Sequence, residues 1–218
     1  MNKEKVKRIL DTFDEMFPDA KCELYHENHL QLLIAVMLSA QTTDASVNRL
    51  TAHLFQKYQT IEDYAYVLAD ELEQDLHTIG LYRNKAKNIK AMANQLIERF
   101  DGQVPATHEE LMSLPGVGRK TANVVVSEGF GVPAIAVDTH VERISKRLGF
   151  AKKDDSVTIV EQKLQKAIPQ QRWTKTHHQM IFFGRYHCKS MNPCCQDCPL
   201  IDICHEEKRK KYLKERSQ

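Results

Sequence analysis

Apolar residues recur three and four positions apart through most of this chain, the spacing of helices that bury one face. Leu30, Leu33, Ile34, Met37 and Leu38 carry it most densely and predict a core helix. Asp44 or Thr43 is placed to cap a second helix running to Phe55, and Thr60 precedes a third. Residues 85–100 continue the pattern to a stop at Asp101-Gly102. Thr107-His108-Glu109-Glu110 has the form of a capping box at the head of another helix. Residues 156–168 are amphipathic and halt before Pro169, and residues 174–187 carry a further helix towards Cys188. Alternating strand patterns are lacking. The pattern predicts an all-α protein.

The chemistry starts where this periodicity is interrupted. Leu114-Pro115-Gly116-Val117-Gly118-Arg119-Lys120-Thr121-Ala122-Asn123 places a Pro-Gly-x-Gly turn directly before a helix-forming stretch. Free backbone N–H groups at such a helix start can grip a phosphate. Lys120 lies in the first turn, where the macrodipole disfavours positive charge and so favours a neutral, nucleophilic amine. Eighteen residues later stands Asp138, in Val137-Asp138-Thr139-His140. A helix over 119–128 rises roughly 15 Å. After the turn at 129–133, an extended return over 134–137 covers about 13 Å. The chain therefore has the length to bring Asp138 back beside Lys120. Asp138 also reads as an N-cap, while Thr139-His140-Val141-Glu142 reads as a capping box that would leave it outside the helix.

Cys188, Cys195, Cys198 and Cys204 form a second signal, spaced C-x6-C-x2-C-x5-C. Four thiolates this close point to a metal or a cluster, since sulfur ligation suits zinc or iron–sulfur. Paired C-x2-C knuckles are absent, which tilts the spacing towards iron–sulfur. Cys194 is an alternative ligand to Cys195, and Cys22 reads as a small buried hydrophobe.

Composition adds less. The 218 residues hold 31 Lys and Arg against 29 Asp and Glu, a net charge of +2 that does not by itself indicate nucleic acid. Arg83, Lys85, Lys87 and Lys90 lie in a stretch without acids, and Arg83, Lys87 and Lys90 share a helix face by spacing. They form either a solvated face or a phosphate-contacting one. No signal peptide is expected at the start of the chain. The most apolar stretch, 30–38, is less than half a membrane span. A soluble, intracellular (cytoplasmic) protein is expected, with reduced thiols.

Taken together, these residues resemble the endonuclease III family of DNA glycosylases, in the helix-hairpin-helix superfamily. The carriers are Leu38-Ser39-Ala40-Gln41-Thr42-Thr43-Asp44, Ile79-Gly80-Leu81-Tyr82, the hairpin with Lys120, Val137-Asp138-Thr139-His140, Gly184-Arg185-Tyr186 and the cysteine run. The resemblance implies a two-domain fold: a six-helix domain over 22–132, and a second domain built from 1–21 and 133–218. The second would carry a [4Fe–4S] cluster, with a largely structural role, on Cys188, Cys195, Cys198 and Cys204.

The resemblance also implies an activity: removal of oxidised or ring-saturated pyrimidines from duplex DNA through a lysine imine, and cleavage of abasic sites by β-elimination. Lys120 would be the nucleophile and Asp138 the charge-stabilising carboxylate. Gln41 and Leu81 would fill the gap left by a flipped nucleotide, the amide bonding the orphaned base and the leucine acting as a wedge. Gly116, Val117, Gly118 and Arg119 would hold a phosphate, and His140 would line the site. The expected partner is double-stranded DNA with damaged pyrimidines or abasic sites, met by a monomer without a membrane.

Two rivals are weighed against this. An adenine-mismatch glycosylase of the same superfamily would place a glutamate where Ala35 stands, would lack Lys120, and would continue into a C-terminal recognition domain. A non-enzymatic helix-hairpin-helix module with a structural metal would leave Lys120 and Asp138 idle. One departure from the family pattern stands out: the loop 189–194 holds a single positive charge, Lys189, where similar proteins are often rich in basic residues.

Overall fold

Asn2 caps the first helix, its side chain accepting the Glu4 N–H, and α1 then runs Lys3–Met16. The computed structural model describes residues 2–216, so readings that take in Met1, Ser217 or Gln218 extend beyond the described residues. The chain divides into two units, residues 23–132 and residues 1–22 with 133–218.

In the unit 23–132, α2 spans His29–Leu38, with Asn28 accepting the Gln31 N–H as its cap. Every residue from Leu32 to Leu38 is buried. A helix apolar on all sides must be enclosed by others, and each such large side chain contributes about 1.5–3 kcal/mol on leaving water. Around it come α3 (Asp44–Lys57), α4 (Ile61–Tyr66), α5 (Ala69–Leu76), α6 (Tyr82–Phe100), α7 (His108–Met112) and α8 (Arg119–Gly129).

The caps settle what the sequence left open here. Thr43, not Asp44, caps α3, accepting from the Ser46 N–H. Thr60 and Asp63 form the full reciprocal capping box of α4. At α7 the predicted box is only half made: Thr107 accepts the Glu110 N–H, but its hydroxyl donates to the Glu110 carboxylate, 2.7 Å away, in place of the return bond. Helix α6 begins at Tyr82, three residues before the periodicity shows, because its first turn is polar and exposed. It stops where expected, with Asp101 and Gly102 both left-handed and the Gly102 N–H returning to the Leu96 carbonyl.

In the other unit, the buried stretch 134–137 leads into α9 (Thr139–Arg147), followed by α10 (Val157–Ala167) and α11 (Trp173–Phe182). The single helix expected over 174–187 changes character part-way. A π-helical turn, Phe183–His187, delivers the chain to Cys188, whose N–H reaches five residues back to the Phe183 carbonyl. The last helix, α12, is Arg209–Arg216. Ile9, Phe13, Ile135, Ile144, Leu164, Met180 and Phe183 build this unit's core, which Cys188, Cys195 and Cys198 join. Among the described residues there is no strand, and no helix is long and apolar enough to cross a membrane.

Candidate active site and cysteine centre

The hairpin is assembled from the residues its sequence singles out. Leu114 and Val117 are buried and pin the turn, and the Val117 N–H closes it on the Leu114 carbonyl. Gly116 is left-handed at φ +76°, and a Cβ there would stand 2.8 Å from the Asn88 Cβ and 3.0 Å from the Met37 Cε. The turn is therefore held against α6 and the end of α2, and only glycine fits. Gly118 is the N-cap of α8 and offers no side-chain cap. The first-turn amides of α8 are thus not capped by a side chain, which suits an incoming anion. Arg119 and Lys120 are exposed at this helix start. The Lys120 ammonium makes no hydrogen bond or ion pair with the described residues. Behind it, buried Asn123 bonds the His108 ring at 2.7 Å and braces α8 against α7. Asn123 lies in the motif, but nothing in the sequence shows this partner fifteen residues earlier.

Gln41 and Leu81 share an unusual backbone. Both are left-handed, at φ +54° and +59°, and both are exposed, Leu81 by 51%. A bulky L-residue pays about 1–2 kcal/mol for this conformation. Such strain concentrates at functional sites. Gly80, the neighbour better suited to it, is not among the left-handed residues.

The basic stretch on α6 does not act as one face. Lys90 donates to the carbonyls of Ala65 and Val67 and closes the end of α4. Arg83 lies 3.5 Å from Glu73. Lys85 is buried, 6% exposed, with its ammonium 2.8 Å from the Thr42 hydroxyl, and burial lowers its pKa. Only Lys87 keeps the free, solvated character expected of the run.

In the second unit, Asp138 is the N-cap of α9, its Oδ1 accepting the Val141 N–H at 2.7 Å. The rival capping box starting at Thr139 does not form. His140, one residue into α9, is held below the ordinary histidine range by burial, with the Arg143 and Arg185 charges adding to the effect against the opposing pull of Asp138. A Cβ on Gly184 would stand 3.0 Å from the His140 Cβ, so the π-helical turn approaches α9 at van der Waals distance only because residue 184 is glycine. Arg143 donates to the carbonyls of Gly184 and Cys188. Arg147 donates to the Lys189 carbonyl at 2.9 Å and to the Cys188 Sγ at 3.3 Å, and pairs with Glu206. These two arginines lace the helix of Asp138 to the cysteine segment, a connection no local motif announces.

Cys188, Cys195, Cys198 and Cys204 are all buried and line one small cavity. Cys194 is exposed, and Cys22 is half-buried and distant in sequence. Burial pushes the Cys198 thiol up to about 12 and raises Cys195 and Cys204. The Glu206 N–H also points to the Cys204 sulfur, at 3.4 Å. Among the described residues, no three His, Cys, Asp or Glu side chains are arranged to hold a single metal ion.

Residues 34–170 match the HhH-GPD superfamily of base excision DNA repair proteins. The endonuclease III of Bacillus subtilis is 57% identical over 210 residues, 96% of each chain. The chain belongs to the endonuclease III family. The enzyme of Escherichia coli K12 is 42% identical over 96% of this member and 99% of its own length. Two solved structures share the fold throughout. One, a trapped endonuclease III–DNA covalent intermediate in an estranged-adenine complex, is 57% identical with a TM-score of 0.92 over the whole of both chains. The other, a non-covalent endonuclease III–DNA complex, is 58% identical with a TM-score of 0.94 over 98% of this chain and 99% of that one.

Proposed function

We propose that Lys120 and Asp138 carry the chemistry of this base-excision DNA glycosylase and abasic-site lyase, acting on oxidised or ring-saturated pyrimidines in duplex DNA. The observation that carries the reading is an exposed, unpartnered lysine in the first turn of a helix whose amides no side chain caps. That turn grips a phosphate through its backbone and sets the amine beside the sugar. The trapped covalent intermediate of the 57% identical relative supports a covalent route.

The neutral Lys120 amine attacks C1′ of the flipped nucleotide, and the glycosidic bond breaks with its electron pair leaving on the base. The nitrogen lone pair then opens the sugar ring, breaking C1′–O4′ as O4′ takes up a proton, and the resulting protonated imine draws electrons from C2′. Loss of the C2′ proton expels the 3′ phosphate, cutting the strand by β-elimination. Hydrolysis of the imine then frees the lysine. Asp138 stabilises the cationic sugar and assists deprotonation of the amine. One carboxylate oxygen caps α9, which fixes the orientation of the other.

Asparagine caps a helix as well as aspartate does. Asp138→Asn is therefore expected to change stability by no more than about 0.5 kcal/mol, while base release slows by about 10²–10³-fold, the loss typical of one charge-stabilising group. Single-turnover kinetics and a melting curve on the same sample check both halves.

Gln41 and Leu81 fill the space that the flipped nucleotide vacates. Leu81→Gly separates that role from folding. Removing the left-handed strain is expected to hold or raise the melting temperature, while affinity for a lesion duplex falls at least about tenfold as stacking replacement is lost.

The four buried cysteines fit a [4Fe–4S] cluster. A cluster takes one thiolate at each corner, and these four thiols line one cavity. When bound, it supplies the cross-link that orders the segment 188–204. Arg147 and the Glu206 amide would donate to its ligand sulfurs.

The lesion class is tested by single-turnover base release from duplexes carrying thymine glycol, 8-oxoguanine or a G·T mismatch. Preferential release of thymine glycol is expected. Equal or faster release of the other two contradicts the proposed class.

A further inference from the structure

We infer that Lys85 is a positioning residue that locks Gln41 and Leu81 together as one wedge, through a relay of hydrogen bonds that brackets both of them. The inference rests on the wedge reading of those two residues and adds to it the device that sets their conformation.

The relay can be followed atom by atom. The Lys85 backbone N–H donates to the Leu81 carbonyl at 3.0 Å, closing the first turn of α6 on the left-handed residue. Its side chain leaves that helix and donates from Nζ to the Thr42 hydroxyl at 2.8 Å, across forty-three positions of sequence. The Thr42 hydroxyl in turn faces the Ala40 carbonyl at 3.3 Å, and the Thr42 N–H reaches the Ser39 carbonyl at 3.1 Å. Ala40 and Thr42 are the two neighbours of Gln41. One lysine is thus bonded at its backbone to the residue of one loop and at its side chain to the hydroxyl that closes the other.

The environment makes this bond consequential. Lys85 is 6% exposed, and no carboxylate pairs with it among the described residues. A buried amine is held where a partner is fixed, since leaving it unpaired is costly. A movement of either loop away from the other would break the bond. Two strained residues that would each relax alone are therefore held in their left-handed state together. The consequence for the reaction is concerted entry: the amide and the leucine invade the duplex as a single rigid element.

The test uses a duplex with a reduced, uncleavable abasic analogue and 2-aminopurine as the base opposite, whose fluorescence rises when it loses its stacking. Thr42→Val removes the acceptor at constant shape and Thr42→Ser restores it. Lys85→Met removes the donor. Thr42→Val and Lys85→Met are expected to cut the fluorescence rise by more than half. The ratio of imine trapping on duplex to trapping on single-stranded abasic DNA is expected to fall at least tenfold. Thr42→Ser should recover most of both losses, and the double variant should be no worse than either single one.

Leu81→Ala and Gln41→Ala run alongside as markers of the wedge itself. If they lower the signal while Thr42→Val does not, the wedge stands and the positioning role is overturned. If neither lowers the signal, the wedge reading fails and the inference falls with it. Should Lys85→Met prove unstable, the Thr42 pair decides alone, because a merely structural defect would not be repaired by one hydroxyl.

Discussion

Lys120→Ala is expected to abolish both base release and strand cleavage while leaving the fold intact. The side chain is exposed and makes no hydrogen bond or ion pair with the described residues, so its removal opens no cavity and orphans no partner. A surface change of that kind shifts stability by no more than about 0.5 kcal/mol. Catalysis should respond very differently, because no covalent intermediate can form without the amine. The loss is expected to exceed the 10²–10³-fold of Asp138→Asn, since that variant retains the nucleophile and loses only charge stabilisation. Single-turnover rates on a lesion duplex and on an abasic duplex measure the two steps separately. Binding to the same duplexes should persist, since the hairpin amides proposed to hold the phosphate belong to the backbone. A variant that binds, folds and still releases base at the normal rate would remove Lys120 from the mechanism.

The second large effect is expected from the cysteine centre. Burial, with the neighbouring cysteines adding to it, pushes the Cys198 thiol up to about 12. On the proposed ligation a metal takes the proton's place at this buried thiol, which couples binding to folding of the segment. Cys198→Ser is expected to bleach the visible absorbance of the purified protein. Its melting midpoint should fall by well over the 2–4 °C that about 1 kcal/mol produces in a chain of this size. The damage should not stop at residue 204. Arg147 ties α9 to Cys188 and Lys189, and Arg143 ties it to Gly184 and Cys188. When their anchor loosens, the helix that carries Asp138 loses its support, and base release should fall although no catalytic group has been touched. Cys194→Ser, at an exposed position outside the proposed ligand set, is expected to change neither colour nor midpoint.

The parts of the molecule legible in its sequence are those where local chemistry leaves no alternative. Gly116 had to be glycine for a left-handed turn pressed against α2 and α6, and the motif shows it. The run from Leu30 to Leu38 is apolar on every side, and burial follows. Thr60 announced its helix, and it accepts the Asp63 amide there. What the sequence hid depends on partners far away along the chain. Lys85 looks like one more cation in a basic helix, and only the fold shows it buried against Thr42. Lys90 was grouped with Arg83 and Lys87 by spacing, yet it closes α4. Leu81 hid its strain behind Gly80, the residue to which a left-handed conformation would naturally be assigned. The π-helical turn before Cys188 has no periodic signature that separates it from the helix it extends. Asp138 was caught between two capping schemes that differ by one residue, a choice that local propensity does not decide.

The most direct measurement is borohydride trapping of the wild-type protein on a duplex with one abasic site, followed by proteolysis and mass mapping of the DNA-linked peptide. The expected result is a single adduct whose modified residue is Lys120. An adduct on another lysine or on the terminal amine, or no adduct from protein that binds the duplex, would contradict the account.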